Sequence, residues 1–205
     1  MIDTKTIRTK QEIIAKRNMS LPPKWVLGID AGFSSLKGFA PNKYFCFPSF
    51  VHELDSDLQV SNDKDILYRD DSGTYLVGMS AQNQIGADDT NETETELYAR
   101  NRYNNKKFKI VIATGIAIGI SENIYGRKTE DQEIVIQTGL PTAYIAKDQK
   151  SIVKAFSDHY VFELKVGAGN WKKYDIQVKP ENISVMPQPA GTLYSVVIDE
   201  NGHFL

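Results

Sequence analysis

Trp25-Val26-Leu27-Gly28-Ile29-Asp30-Ala31-Gly32-Phe33-Ser34-Ser35-Leu36-Lys37 reads as two strands joined by a tight polar turn. The first six residues form a short apolar run that ends in a carboxylate, the pattern of a buried strand. Ala31 to Ser35 supplies turn chemistry, and Leu36-Lys37-Gly38-Phe39-Ala40 resumes an extended segment. Tyr44 to Phe50 gives a third strand. Strands this close in sequence pair as an antiparallel meander, because a parallel neighbour needs a long crossover.

The turn has chemistry of its own. Small residues let an anion approach successive backbone N–H groups, and Ser34 and Ser35 add hydroxyl donors. Lys37 can set an ammonium against phosphate oxygens. Asp30, at a strand end, suits a hydrated Mg²⁺, which keeps most of its waters and takes few carboxylates. An ordinary hairpin with a polar turn and a surface lysine would show the same residues. No helix follows the glycines, so the segment is neither a strand-to-helix phosphate loop nor a dinucleotide fingerprint.

Further along, Lys106 to Ile120 is apolar enough for a buried helix, although its Ile and Val content is unusual for one. Glu133 to Thr138 reads as a buried strand closed by Gly139-Leu140-Pro141, and Asp148 to Phe156 as a helix with an acidic start. His159 to Val166 and Trp171 to Val178 form a hairpin around Gly167-Ala168-Gly169-Asn170. Ile183-Ser184-Val185-Met186 is a last core strand, and Gln188-Pro189-Ala190-Gly191 opens a helix running to about Val197. Gln188 would then project into the cleft beside the sheet. With both a donor and an acceptor it could orient a water for attack on a terminal phosphate; it could equally cap the helix.

Two regions stand apart from this pattern. Residues 1–24 read as an extension carrying a short basic amphipathic helix, from Ile7, Ile14 and the charges Lys5, Arg8, Lys10, Lys16 and Arg17, stopped by Pro22 and Pro23. Such an extension suits plain solvation, or contact with a membrane or a polymer. Residues about 48–105 read as an inserted subdomain with its own small fold, including a hairpin at Asp71-Ser72-Gly73. The acidic stretch Asp88 to Glu96 reads as a solvated loop, since its spacing matches no metal-ligand set.

Composition narrows the classes. The 205 residues are 41% hydrophobic and 24% charged, ordinary for a globular chain. A net charge of −2 provides no global field for nucleic acid, so direct binding to it is not expected. No stretch of about 18 apolar residues occurs, so no membrane span is expected. The single cysteine, Cys46, excludes an internal disulfide and reads as a buried thiol in a cytoplasmic protein.

Three segments carry a family resemblance. Gly28-Ile29-Asp30-Ala31-Gly32 with Ser34, Ser35 and Lys37 resembles the first phosphate loop of the actin and Hsp70 superfamily. Gln137-Thr138-Gly139-Leu140-Pro141 is similar to a strand end of ParM-like plasmid-segregation actins, and Val185-Met186-Pro187-Gln188-Pro189-Ala190-Gly191 to the segment holding their water-orienting residue. The resemblance implies an α/β domain of ribonuclease-H-like, actin-type topology over residues 25–205, with a mixed five-stranded sheet and flanking helices. It implies a two-lobed ATPase that holds ATP and Mg²⁺ between its lobes. Such a protein polymerises into filaments that separate plasmid copies through a DNA-bound adaptor protein. By that resemblance Asp30 faces the hydrated Mg²⁺, Gly32, Phe33, Ser34 and Ser35 wrap phosphate, Lys37 contacts it, and Gln188 orients the water. Some ParM proteins carry an acidic residue at that last position.

The resemblance covers only the first half of such a protein. The chain stops at Leu205, so the second phosphate loop and second lobe are expected to be absent, as in a truncated chain or an incomplete gene product. Half a clamp should hydrolyse ATP poorly. Two rival classes share these features: a non-polymerising relative of the Hsp70 or sugar-kinase type, and a non-catalytic fragment that binds or caps a partner.

Overall fold

The computed structural model describes residues 10–13, 23–54, 65–84, 102–123, 126–188 and 190. Eleven strands and three α-helices occur among them: β1 (Lys10–Ile13), β2 (Lys24–Ala31), β3 (Ser35–Ala40), β4 (Lys43–Pro48), β5 (Val51–Glu53), β6 (Ile66–Asp70), β7 (Gly73–Val77), α1 (Met79–Gln84), α2 (Lys106–Ile120), β8 (Glu133–Leu140), α3 (Ile145–Phe156), β9 (Asp158–Val166), β10 (Lys172–Val178) and β11 (Ile183–Pro187). The first sheet has the order β1-β4-β3-β2-β8-β11 and the second β10-β9-β6-β7-β5.

The first sheet is mixed. β2, β3 and β4 form the expected antiparallel meander, while β8 runs parallel to β2 and β11 parallel to β8. Alternation along β2 decides its faces: Trp25, Leu27, Ile29 and Ala31 are buried, and Val26, Gly28 and Asp30 point the other way. On the buried face lies α2. Nearly every residue from Phe108 to Gly119 is buried, which explains why a helix rich in Ile and Val is stable: packing outweighs propensity. Gly115 and Gly119 let it approach the sheet closely, since a Cβ on either would come within 2.8 Å of Leu36 or Leu27.

A polar seam closes the C-terminal end of α2. The indole Nε1 of Trp25 donates to the Gly119 carbonyl at 3.1 Å. Lys43, buried at the start of β4, donates through Nζ to the Ser121 carbonyl at 2.9 Å and to its Oγ at 2.6 Å. Asn42 Nδ2 donates to the Gly126 carbonyl, and Asn123 Nδ2 to the Asn42 carbonyl. The β3–β4 turn thus supplies donors to a helix end whose last carbonyls lack partners within the helix. Burial, together with the nearby Lys172 charge, lowers the Lys43 pKa to about 8.

The second sheet is antiparallel throughout. Aromatic rings run across four of its strands. Tyr174 stacks on Phe162 at 5.3 Å between centroids, Phe162 on Tyr68 at 4.8 Å, and Tyr68 meets Tyr75 at 6.2 Å. Cross-strand aromatic pairs of this kind fix strand register as well as burying area.

Several expectations need correction. Where a basic amphipathic helix was expected near the N-terminus, residues 10–13 form a strand against β4, with Lys10 opposite Cys46. All four residues are exposed, so backbone pairing with the otherwise open edge of the meander, not an apolar seam, sets the conformation. The rest of that helix, the acidic stretch Asp88 to Glu96 and the helix beyond Ala190 lie outside the described residues. With β1 the sheet has six strands instead of five. The segment about 48–105 does not complete a sheet of its own, because β6 pairs with β9, bringing in the β9–β10 hairpin. Cys46 is only half-buried, since it alternates with the inward-facing Phe45 and Phe47. β11 lies at a sheet edge and is largely half-exposed. Both α2 and α3 share a hydrophobic core with the inward residues of β2 and β8, and on the opposite face Val26, Phe39 and Tyr44 are exposed, with no helix packed over them among the described residues.

Candidate functional site

On that open face, at the carboxyl ends of β2, β8 and β11, the sheet carries a hollow of about 610 Å³. Its walls are Asp30, Lys37, Phe39, Tyr44, Gln137, Met186 and Gln188, and its floor includes Gly28, Gly38 and Gly139. The depth has a simple origin. Gly28 and Gly139 stand at outward-facing positions of adjacent parallel strands, where any side chain would occupy the space. Carboxyl ends of neighbouring parallel strands are where open α/β sheets receive ligands.

The structure brings Asp30, Lys37 and Gln188 together in this hollow. Asp30 and Lys37 are opposite each other in the β2–β3 register, with Lys37 Nζ 3.8 Å from Asp30 Oδ2. Both side chains are about half exposed, so the pair contributes little to stability, at most about 1 kcal/mol, and either group is available to a ligand. Gln188 follows β11 directly, and its Cγ lies against Gly139: a Cβ there would sit 3.2 Å away.

Gly32, Phe33, Ser34 and Ser35 are not in the wall of the hollow; the first three form the turn between β2 and β3, and Ser35 opens β3. Gly32 N–H donates to the Ser35 carbonyl at 3.0 Å, which closes the turn so tightly that a Cβ on Gly32 would lie 2.8 Å from that oxygen. Ser49 braces it from β4's exit, donating its N–H to the Ser34 carbonyl and its Oγ to the Gly32 carbonyl, both at 3.1 Å. Arg102 Nη2 donates to the Ala31 carbonyl at 2.9 Å, with its guanidinium 4.0 Å from the Phe33 ring centre. Ser35 is buried, whereas Phe33 and Ser34 are exposed, so Ser34 is the hydroxyl that the turn shows to solvent.

Sequence reasoning did not assign Phe39, Tyr44, Gln137 or Met186 to the site. Gln137 Nε2 donates to the Ser184 carbonyl at 3.2 Å, tying β8 to β11 along the hollow. The available signal was the period-2 pattern: these residues share the outward face with Asp30 and Lys37.

The residues present fit a nucleotide's phosphates with a hydrated cation. A carboxylate, an ammonium and a carboxamide face one hollow that glycines leave open, beside the turn that carries Gly32 and Ser34. Among the described residues no three His, Cys, Asp or Glu side chains converge, so a cation beside Asp30 would draw its other ligands from water and phosphate, as Mg²⁺ commonly does. No helix of the described residues is long and apolar enough to cross a membrane.

Residues 28–191 match the family described as the N-terminal domain of actin-like proteins. No curated protein sequence matches the chain. Among solved structures, it is similar to a ParM filament with fifteen strands from Clostridium botulinum. The two share 25% identity and a TM-score of 0.64, over 85% of this chain and 50% of that one. A non-polymerisable quadruple mutant of the pCBH ParM matches at 24% identity and a TM-score of 0.63, over 86% of this chain and 52% of that one. The apo ParM of Bacillus thuringiensis matches at 16% identity and a TM-score of 0.62, over 90% and 51%. The chain thus spans about half the length of the structures it resembles. With the mixed sheet, the hollow at its strand ends and the match across most of its length, the chain belongs to the family of actin-like proteins and corresponds to their N-terminal domain.

Proposed function

We infer that this chain is the N-terminal half of a cytoplasmic actin-like ATPase that polymerises with ATP into filaments and serves plasmid DNA segregation. The observation that carries the reading is the convergence of Asp30 on β2, Lys37 on β3 and Gln188 just after β11 on one hollow beside the turn that follows Ala31. The similarity to a ParM filament supports the self-associating part.

In this reading ATP brings the transferable phosphoryl group and Mg²⁺ the charge that neutralises it. Asp30 would hold the cation through its waters, and Lys37 would set its ammonium against phosphate oxygens. The turn offers its backbone and the Ser34 hydroxyl. Gln188 holds the attacking water by accepting and donating hydrogen bonds, without acting as a strong base. These residues clamp from one side only. Phosphoryl transfer relies on fixed positioning and charge from both sides, so hydrolysis belongs to a longer protein containing the second lobe. Its partners are other copies of itself and a DNA-bound adaptor protein; with a net charge of −2 on this half, direct DNA binding has no role.

The test is a melting curve and a light-scattering trace with and without Mg-ATP. In the two-lobed protein, Mg-ATP raises the melting temperature by mass action and drives scattering, and Lys37→Ala abolishes both. The 205-residue chain alone shows no shift. ATP-independent scattering, or a shift that survives Lys37→Ala, would sink the proposal. A shift without any scattering would instead favour a non-polymerising relative.

A further inference from the structure

We propose that Arg102 is a positioning residue for the phosphate turn, holding Gly32–Ser34 in the shape that receives an anion. This rests on the nucleotide-binding reading above. Arg102 lies 71 residues from Ala31, yet its Nη2 reaches that carbonyl at 2.9 Å. Its guanidinium lies over the Phe33 ring at 4.0 Å, with the Tyr103 and Phe108 rings at 5.4 and 5.3 Å. A planar cation restrained by three rings and one hydrogen bond has few alternative rotamers, so the carbonyl and the ring it holds are fixed with it. The carbonyl precedes Gly32 and the ring follows it, so Arg102 grips the turn on both sides of its glycine.

The grip has a second consequence. The chain passes from the first sheet to the second at Ser49-Phe50 and returns to α2 from Arg102. Ser49 bonds the Gly32 and Ser34 carbonyls, and Arg102 the Ala31 carbonyl. Both crossings are therefore fastened to the same short stretch, Ala31 to Ser34. Arg102 does not line the hollow, and it acts on a ligand only through the turn.

Two measurements test this. Amide hydrogen exchange on the 205-residue chain should show the Gly32–Ser35 turn exchanging roughly tenfold faster in Arg102→Ala, with the β2–β8 ladder and α2 unchanged. Phe33→Leu, at an exposed position, removes the stack from the other side and should loosen the turn to a smaller extent. In the two-lobed protein, Arg102→Ala should weaken Mg-ATP binding roughly tenfold while leaving kcat at saturation within about twofold, and Arg102→Lys should restore part of the affinity. Unchanged turn exchange in both variants overturns the proposal. Faster exchange with unchanged Mg-ATP affinity also overturns it, since the grip would then serve stability alone. If the unaltered two-lobed protein binds no nucleotide, the functional reading fails, and the exchange experiment still decides whether Arg102 sets the turn.

Discussion

Phe45 lies across Gly38, its cross-strand partner, so closely that a Cβ on the glycine would sit 2.0 Å from the ring. The ring is buried against the core and covers the bare backbone of β3. Gly38→Ala should therefore cost about 2–3 kcal/mol in urea unfolding, because Phe45 cannot keep its place. Adding Phe45→Leu should recover part of the loss, giving a coupling energy of about 1 kcal/mol. Additive losses would show that the contact is not the cause.

Trp25 ties the first core strand to the end of α2 through its indole N–H, and both groups are buried. Trp25→Phe keeps a ring but leaves the Gly119 carbonyl without that donor. A loss of about 2 kcal/mol is expected, read from chemical denaturation followed by circular dichroism.

Lys43 makes stability depend on alkaline pH. Its native pKa, near 8, lies below the unfolded value of 10.5, so between those values the unfolded chain holds the extra proton. Stability should rise as pH increases from about 8 toward 10, by on the order of 2 kcal/mol. Above about 10 the trend should reverse, because burial raises the pKa of Tyr68, Tyr160 and Tyr174 and the unfolded chain then ionises first. Thermal melts from pH 7 to 10.5 should show this maximum, and Lys43→Met should remove the rising limb.

Asp30→Asn separates chemistry from folding. The Asp30–Lys37 pair is half exposed, so the melting temperature of the 205-residue chain should move by no more than about 2 °C. In the two-lobed protein the same change should reduce ATP hydrolysis by about 10²-fold, with the loss showing in kcat. A rate within twofold of the unaltered protein would remove Asp30 from the site.

The readable parts of this fold were those whose pattern is local. β2, β3 and β4 declare themselves through alternation and a polar turn, and β9–β10 through a glycine turn between two strand patterns. β1 was misread because Lys10 to Ile13 has no buried side chain; its conformation is dictated by the edge of β4, far along the chain, where Lys10 meets Cys46 and Ile13 meets Lys43. The same limit hid the pairing of β6 with β9. For the candidate site, Asp30, Lys37 and Gln188 could be singled out in sequence because their residue types suggest a chemistry, and the structure places all three around one hollow. Tyr44 and Phe39 were not, because an outward aromatic looks the same in sequence whether it walls a hollow or meets only solvent. Arg102 escaped notice for a related reason: nothing near it in sequence points to Ala31.

The second sheet has two parents. β5, β6 and β7 come from the segment before α2, while β9 and β10 come from the segment after α3, and the β6–β9 ladder joins them. Neither set can be lost or exchanged alone, since the hairpin would bare Phe162 and Leu164 and the other three strands would bare Tyr68. A descendant that discarded the smaller sheet would have to delete two separate stretches of gene at once. The two stretches therefore stand or fall together: removing either one exposes the apolar side chains of the other to water.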